Sequence, residues 1–284
     1  MAAAARALNI SASAVAQQLQ VLERELGVSL LLRVGRTMRV TEEGARVLPP
    51  ARKLLQDAGD LRSIAHDDAV AGELRLGACT TPLTGLLPDI LARVSTKFPR
   101  LRVHIESGSS AQLFASVEAG QLDAALVLEA PYLLPKTCEW LLLREEPLIV
   151  LVPRSLADSD PLTLLREEPF IRYGRDQWGG WSAEHYLQEM QIMPHERFEL
   201  NALNAIAMMV DRGLGVSLVP DWAPPWLEGI DVVRLPLPTR RIGRRIGIVW
   251  SRSTIRMRLV NALLRESAPG LSRHQTAPVC SDPV

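Results

Sequence analysis

A chain of 284 residues, 47% hydrophobic and 23% charged, is long enough for more than one cored domain and has the composition of a globular protein, not a disordered or fibrous one. Its 32 Lys and Arg against 32 Asp and Glu give zero formal charge, which excludes a uniformly basic nucleic-acid coat and leaves any DNA contact to local clusters. No apolar run approaches the ~18 residues of a membrane span, the start lacks the apolar core of a secretion signal, and Cys79, Cys138 and Cys280 lie far apart without CxxC spacing; a cytoplasmic protein with no membrane partner, disulfide framework or zinc site is expected.

Residues 3–10 are rich in strong helix formers and stop near Asn9. Ser11 is a good N-cap for a second helix over 11–26, in which Val15, Leu19, Leu22 and Leu26 recur at intervals of four, three and four before the terminating Gly27. Only a tight turn separates the two, and Ser13, Gln17 and Gln20 stand off the apolar stripe, the arrangement of a helix-turn-helix whose side chains reach base edges. Ser11, Ser13, Gln17 and Gln20 are candidate DNA contacts, with a solvated surface helix as the plain alternative.

Residues 28–33 and 38–40 read as short strands about Val34-Gly35-Arg36-Thr37, a hairpin carrying Arg33, Arg36 and Arg39 with no acid between them. Such a wing suits phosphate contact, although a solvated hairpin has the same composition. Thr41 caps a third helix with Glu42 and Glu43 in its first turn, running to about residue 66. Along it Val47, Ala51, Leu54, Ala58, Leu61 and Ala65 form a heptad seam suited to pairing with another helix. Pro49 and Pro50 inside this segment predict a kink or restart.

From Gly72 the pattern changes to strand-helix alternation: strand 73–78, helix 83–97, strand 102–106, helix 111–119, strand 124–128. A second such run has strands 148–152 and 170–173, helices through 184–191 and 201–212, and a strand 216–219 closed by Pro220. The first run implies an α/β layer with a largely parallel sheet, and the two runs together imply two α/β lobes. Residues 269–284 lack any period and are expected to fray.

The stretches Ala4-Ala5-Arg6-Ala7-Leu8-Asn9-Ile10-Ser11, Leu22-Glu23-Arg24-Glu25-Leu26-Gly27-Val28, Arg33-Val34-Gly35-Arg36 and Val40-Thr41-Glu42-Glu43-Gly44 resemble, in order and spacing, the signature of LysR-type transcription regulators. The likeness continues in Gly72-Glu73-Leu74-Arg75-Leu76-Gly77, Leu86-Leu87-Pro88, Phe98-Pro99, Gly120-Gln121-Leu122-Asp123 and Gly213-Leu214-Gly215-Val216 through Pro220. The resemblance implies an α/β chain with an N-terminal winged helix-turn-helix (1–44), a long dimerising helix (41–68) and a two-lobed effector domain of periplasmic-binding-protein type, lobe one at 72–146 with 250–268 and lobe two at 147–249. It further implies a reading helix in the DNA major groove, dimerisation along Val47, Ala51, Leu54, Ala58 and Leu61, tetramers as the usual assembly, and a small-molecule effector between the lobes.

Two departures stand out. Ala12 and Ala16 occupy positions where the family commonly carries glutamine and serine, so the preferred DNA sequence is expected to be unusual or weak. The family also places about one more helix in front, whereas this chain starts at Met1 almost directly on the second, for which a start codon set too far downstream is the expected reason. The rival reading is therefore a ligand-binding sensor without DNA-binding activity. A transport-type solute receptor would have no use for residues 3–66.

In the sensor, Thr80 and Thr81 fall between the first strand and its helix, and Ser109 and Ser110 precede the next helix in the same way, so hydroxyls and free amide groups converge outside the strand ends. Helix capping is expected of both pairs, and Thr81 and Ser109 match family effector positions. Tyr173, Asn201 and Asn204 are candidates by family position, with Gln177-Trp178-Gly179-Gly180-Trp181 as an aromatic rim. The expected effector is a carboxylate or aromatic acid, with RNA polymerase as a further partner. Cys79 reads as a buried hydrophobe ahead of a redox sensor, Gly213-Leu214-Gly215 as a helix terminator, and Arg240-Arg241-Ile242-Gly243-Arg244-Arg245 as an exposed turn. The five histidines show no metal spacing and there is no GxSxG partner, so neither catalytic residues, metal nor cofactor is expected.

Overall fold

Two blocks of chain form separate compact units, Met1–His66 and Asp67–Val284. The computed structural model describes all residues except 1, 36, 65–69, 176, 225–228, 239–242 and 269–284, and describes only the backbone of 2, 3, 52, 53 and 56–64.

In the first unit α1 (Ala2–Leu8) ends at Asn9, whose positive φ of 55° is one that asparagine tolerates better than most residues. The second helix, α2 (Ala12–Leu26), begins where the Ser11 hydroxyl accepts the Ala14 N–H at 3.1 Å and ends at Gly27, left-handed at φ 70°. Strands β1 (Leu31–Val34) and β2 (Thr37–Val40) pair antiparallel, Leu31 opposite Val40. Thr41 then hooks the next helix, α3 (Glu42–Ile64), to the hairpin: its hydroxyl donates to the Ser29 carbonyl at 2.7 Å and accepts the Gly44 N–H at 2.9 Å. The helix is continuous through Pro49 and Pro50, so the expected restart does not occur.

The second unit opens with β3 (Gly72–Ala78), α4 (Thr80–Gly85), α5 (Leu87–Lys97), β4 (Leu101–Ser107), α6 (Ser110–Glu118) and β5 (Ala124–Leu128), where β3 lies parallel to both β4 and β5. The single helix expected at 83–97 is two helices broken at Leu86, because Pro88 supplies no N–H and suits a first turn. A long strand, β6 (Cys138–Pro153), leads to α7 (Pro161–Glu167), β7 (Pro169–Tyr173), α8 (Trp178–Glu189), β8 (His195–Leu200), α9 (Leu203–Asp211), β9 (Ser217–Pro220), β10 (Val232–Pro236), β11 (Gly243–Ser251) and α10 (Met257–Ser267).

β6 serves both lobes. Its first part pairs with β11, which pairs in turn with β5, giving the lobe-one order β4-β3-β5-β11-β6; its last part pairs antiparallel with β9 and β10 in lobe two. Parallel strands β7 and β8 join that second layer through a bridge between Phe170 and Val216. The lobe boundary expected at 249–250 thus falls inside β11, which pairs with β5 from Ile246 to Trp250. Residues 244–245, expected in an exposed turn, lie in the same strand, and Arg244 is buried.

Each lobe is a sheet covered on both faces. In lobe one, Ile90, Val94, Val260 and Leu263 of α5 and α10 pack on one side and Leu113, Phe114 and Val117 of α6 on the other. In lobe two, Leu164, Leu165, Tyr186 and Leu187 of α7 and α8 oppose Leu203, Ile206 and Val210 of α9. Among the described residues no helix is long and apolar enough to cross a membrane.

Candidate DNA-reading unit and interlobe site

The polar face of α2 is open. Ser11, Ser13, Gln17 and Gln20 all carry solvent-accessible side chains, and the Ser11 and Ser13 hydroxyls lie 2.9 Å apart. One residue that the sequence did not single out holds this helix to the wing: Glu23 Oε1 accepts the N–H of Leu30 at 2.7 Å and of Leu31 at 3.1 Å. Its signal was available in the Leu22-to-Gly27 run, where a carboxylate one turn before the helix end faces the departing chain. In the wing, Arg33 Nε donates to the Gly35 carbonyl at 3.1 Å and Thr37 to the Val34 carbonyl at 3.0 Å, while Arg39 is exposed. Arg36 lies outside the described residues. On α3, Val47 and Ala51 are half-buried and Leu54 is 70% exposed; the side chains of Ala58 and Leu61 lie outside the described set.

In the second unit the two lobes meet at a buried guanidinium. Arg244 of β11 donates from Nε to Glu146 Oε2 at 2.7 Å, from Nη1 to the Tyr173 hydroxyl at 3.3 Å and from Nη2 to the Thr81 hydroxyl at 2.9 Å. Thr81 belongs to lobe one and Tyr173 to lobe two, so one side chain spans both. Glu146, fully buried on β6, also accepts the Ala223 N–H at 3.0 Å and faces Arg144 Nε at 3.4 Å. From the sequence Arg244 reads as part of an exposed turn and Glu146 is not singled out; burial of the first depends on the second, 98 residues earlier. Burial pushes the Tyr173 hydroxyl above its usual range, with the Arg244 charge opposing.

The other expected residues divide. Thr80 is exposed and Thr81 half-buried, and neither is a cap: the N-cap of α4 is Cys79, which makes no side-chain cap bond. Ser109 is a cap, its hydroxyl accepting the Gln112 N–H at 3.3 Å and donating to Gln112 Oε1 at 3.0 Å. Ser110 is not the cap but is buried, and its hydroxyl accepts the Leu128 N–H at 3.1 Å, tying α6 to β5. Asn204 is half-buried in the first turn of α9, and Asn201 is exposed ahead of it. Trp178 sits edge-on to Phe114 at 6.1 Å and to Tyr132 at 5.7 Å between ring centres, a ring contact between the lobes; Trp181 is 56% exposed. Cys79 and Cys138 are buried, and burial raises both thiols. Among the described residues no group of three potential ligands could hold a metal ion.

The family model described as the LysR substrate binding domain matches residues 67–270, and that of the bacterial regulatory helix-turn-helix protein, lysR family, matches residues 1–45. The chain belongs to the LysR family. It is a LysR-type DNA-binding transcription regulator with an effector-binding domain. Among curated relatives, the HTH-type transcriptional regulator CysB of Haemophilus influenzae is 29% identical over 234 residues, 79% of this chain and 72% of the relative. The dual regulator OxyR of Escherichia coli is 28% identical over 262 residues, 87% of this chain and 83% of the relative. Of solved structures, full-length CbnR complexed with its target DNA superposes with a TM-score of 0.67 at 23% identity, covering 94% of each chain. A full-length OxyR variant from Pseudomonas aeruginosa gives 0.60 at 23% identity, again covering 94% of each. At such identities these structures support the fold of this LysR-type regulator, a winged reading unit and a two-lobed sensor. The family and its relatives favour a regulator over the DNA-free sensor considered from the sequence.

Proposed function

We propose that this regulator reads double-stranded DNA through Ser11, Ser13, Gln17 and Gln20 of α2 laid in the major groove, with Arg33, Arg36 and Arg39 of the wing on flanking phosphates. The observation that carries this is the open polar face of α2 held to the hairpin by Glu23, since a reading helix needs a fixed wing beside it. A homodimer joined along Val47, Ala51, Leu54, Ala58 and Leu61 of α3, itself pairing into a tetramer, would present two or more such units. The exposed Leu54 is a natural seam residue.

The effector is a small carboxylate or aromatic acid bound between the lobes near Thr80, Thr81, Ser109, Ser110, Tyr173, Asn201 and Asn204. Its binding shifts lobe closure and hence assembly geometry, which changes the contact with DNA and with RNA polymerase. The protein works in the cytoplasm and performs no catalysis. CbnR, whose structure with its target DNA shares this fold, makes DNA the natural first ligand to test.

The test is fluorescence anisotropy with the intergenic DNA beside the protein's own gene, titrated with salt. Specific binding is expected, with affinity falling linearly in log salt, and Arg39→Gln lowering that slope by about one unit equally for specific and random DNA. Equal affinity for the intergenic and a random fragment at every salt concentration would overturn the reading.

A further inference from the structure

The polarity of the groups around Arg244 has a direction. A guanidinium only donates, so the Thr81 and Tyr173 hydroxyls both accept from it and each keeps its own hydrogen for another acceptor. No described residue supplies that acceptor. Of the five N–H groups of Arg244, three have partners, in Glu146, Tyr173 and Thr81. The single carboxylate of Glu146 faces two guanidiniums, Arg244 and Arg144, so the cluster carries an excess positive charge. The start of α8 adds to it: a methyl on Gly179 would lie 2.4 Å from the Tyr173 hydroxyl, so only glycine lets the first turn of this helix, with its positive dipole end, come so close.

From this cluster between the lobes, whose two hydroxyl hydrogens meet no acceptor among the described residues, we infer that Arg244 is the charge-selecting residue of the effector site, and that the group it selects is a carboxylate or like oxyanion lying against the Thr81 and Tyr173 hydroxyls. A neutral amide of the same shape presents N–H groups to a surface made of hydrogen-bond donors, and an unpaired donor pair in a buried place is strongly disfavoured. Ser109 takes no part in this selection: its hydroxyl hydrogen is directed at Gln112. The inference deepens the reading of the interlobe cleft as the effector site and rests on it.

The experiment uses the full chain without DNA and follows tryptophan fluorescence and thermal unfolding against two matched pairs at constant ionic strength, acetate with acetamide and benzoate with benzamide. Acetate is small enough to need no further lining. The expected result is a saturable response to the acids, at least tenfold stronger than to the amides, and loss of that preference in Arg244→Gln. Because that change removes the closer of the two guanidiniums facing the buried Glu146, the double variant Glu146→Gln with Arg244→Gln is run beside it, with circular dichroism to establish folding, and Thr81→Val is expected to weaken acid binding without reversing the preference. Equal response to acid and amide, no saturable response to any acid, or an acid preference surviving in a folded Arg244 variant would each overturn the inference. An acid that binds through Arg244 yet leaves DNA affinity unchanged would instead overturn the effector reading and leave the anion site standing.

Discussion

Replacing Glu23 by alanine removes one carboxylate oxygen that holds two backbone N–H groups, Leu30 at 2.7 Å and Leu31 at 3.1 Å. Hydrogen bonds to a charged group contribute about 1.5–3 kcal/mol each, and the half-buried position of Glu23 argues for the low end. The two together give about 3 kcal/mol, enough to lower the unfolding midpoint of a unit of this size by roughly 12–24 °C. Glu23→Gln keeps the accepting oxygen without the charge and is expected to lose about half as much. The assay pairs thermal unfolding by circular dichroism with DNA anisotropy: E23A should lose affinity for the intergenic fragment, because a loosened wing no longer lies beside α2. If E23A unfolds within a degree of the parent and binds DNA with the same salt slope, the idea that this carboxylate fixes the wing is wrong.

Gly44→Ala places a methyl 2.2 Å from the Leu30 carbonyl oxygen; the start of α3 must shift from the hairpin, and both DNA affinity and the unfolding midpoint should fall, whereas Ala45→Gly should cost only about 1 kcal/mol of helix propensity. The Glu196 carboxyl is held below its usual range by the hydrogen bond from Arg172, so its ionised form contributes stability present above the ordinary carboxylate range and lost as pH falls through the depressed folded value; urea unfolding from pH 6 down to pH 3 should be less steep in Glu196→Gln. Leu54→Asp should convert dimers to monomers in analytical ultracentrifugation while leaving each sensor unit folded, since Leu54 is 70% exposed. In a Cys280→Ser background, Cys79 and Cys138 should resist iodoacetamide at neutral pH until urea is added, because both are buried with raised thiols; rapid labelling of the native protein would reopen a redox role.

What the sequence carried well was local. Ser11, Gly27 and Thr41 act on the residues beside them, and each forms the boundary its chemistry predicts. Alternation marked β3, where Leu74 and Leu76 follow Glu73 and Arg75, and a continuous apolar run marked β5, each almost to the residue. Strand β8 and the buried Arg244 escaped for one reason, that charge reads as solvent exposure. β8, His195-Glu196-Arg197-Phe198-Glu199-Leu200, is so charged that it reads as surface; its acids are matched by Arg172 and Arg175 on and just beyond β7, including a close pair between Arg175 and Glu196. Arg244 hid in a basic run, where five neighbouring positions suggested solvent. Only the pairing of Gly243 with Pro147 carries it opposite Glu146, and nothing local to either residue announces that partnership. The site residues named from capping logic fared unevenly for the same reason: Ser109 needed only Gln112, while Thr81 needed a side chain from the far end of the unit.

The path of β6 and β11 has a consequence for synthesis. Lobe two is an insertion between the first and last strands of lobe one, so a chain emerging from the ribosome completes the sheet of β6, β7, β9 and β10 while β5 still lacks its neighbour β11. Until Ile246 to Trp250 and the α10 helix emerge, the edge of β5 stays unpaired and the face of Leu74 and Leu76 is covered by α5 without α10. The part of the sensor made first is therefore finished last, and nascent chains arrested before residue 246 should recruit chaperones through lobe one while their second lobe already resists protease.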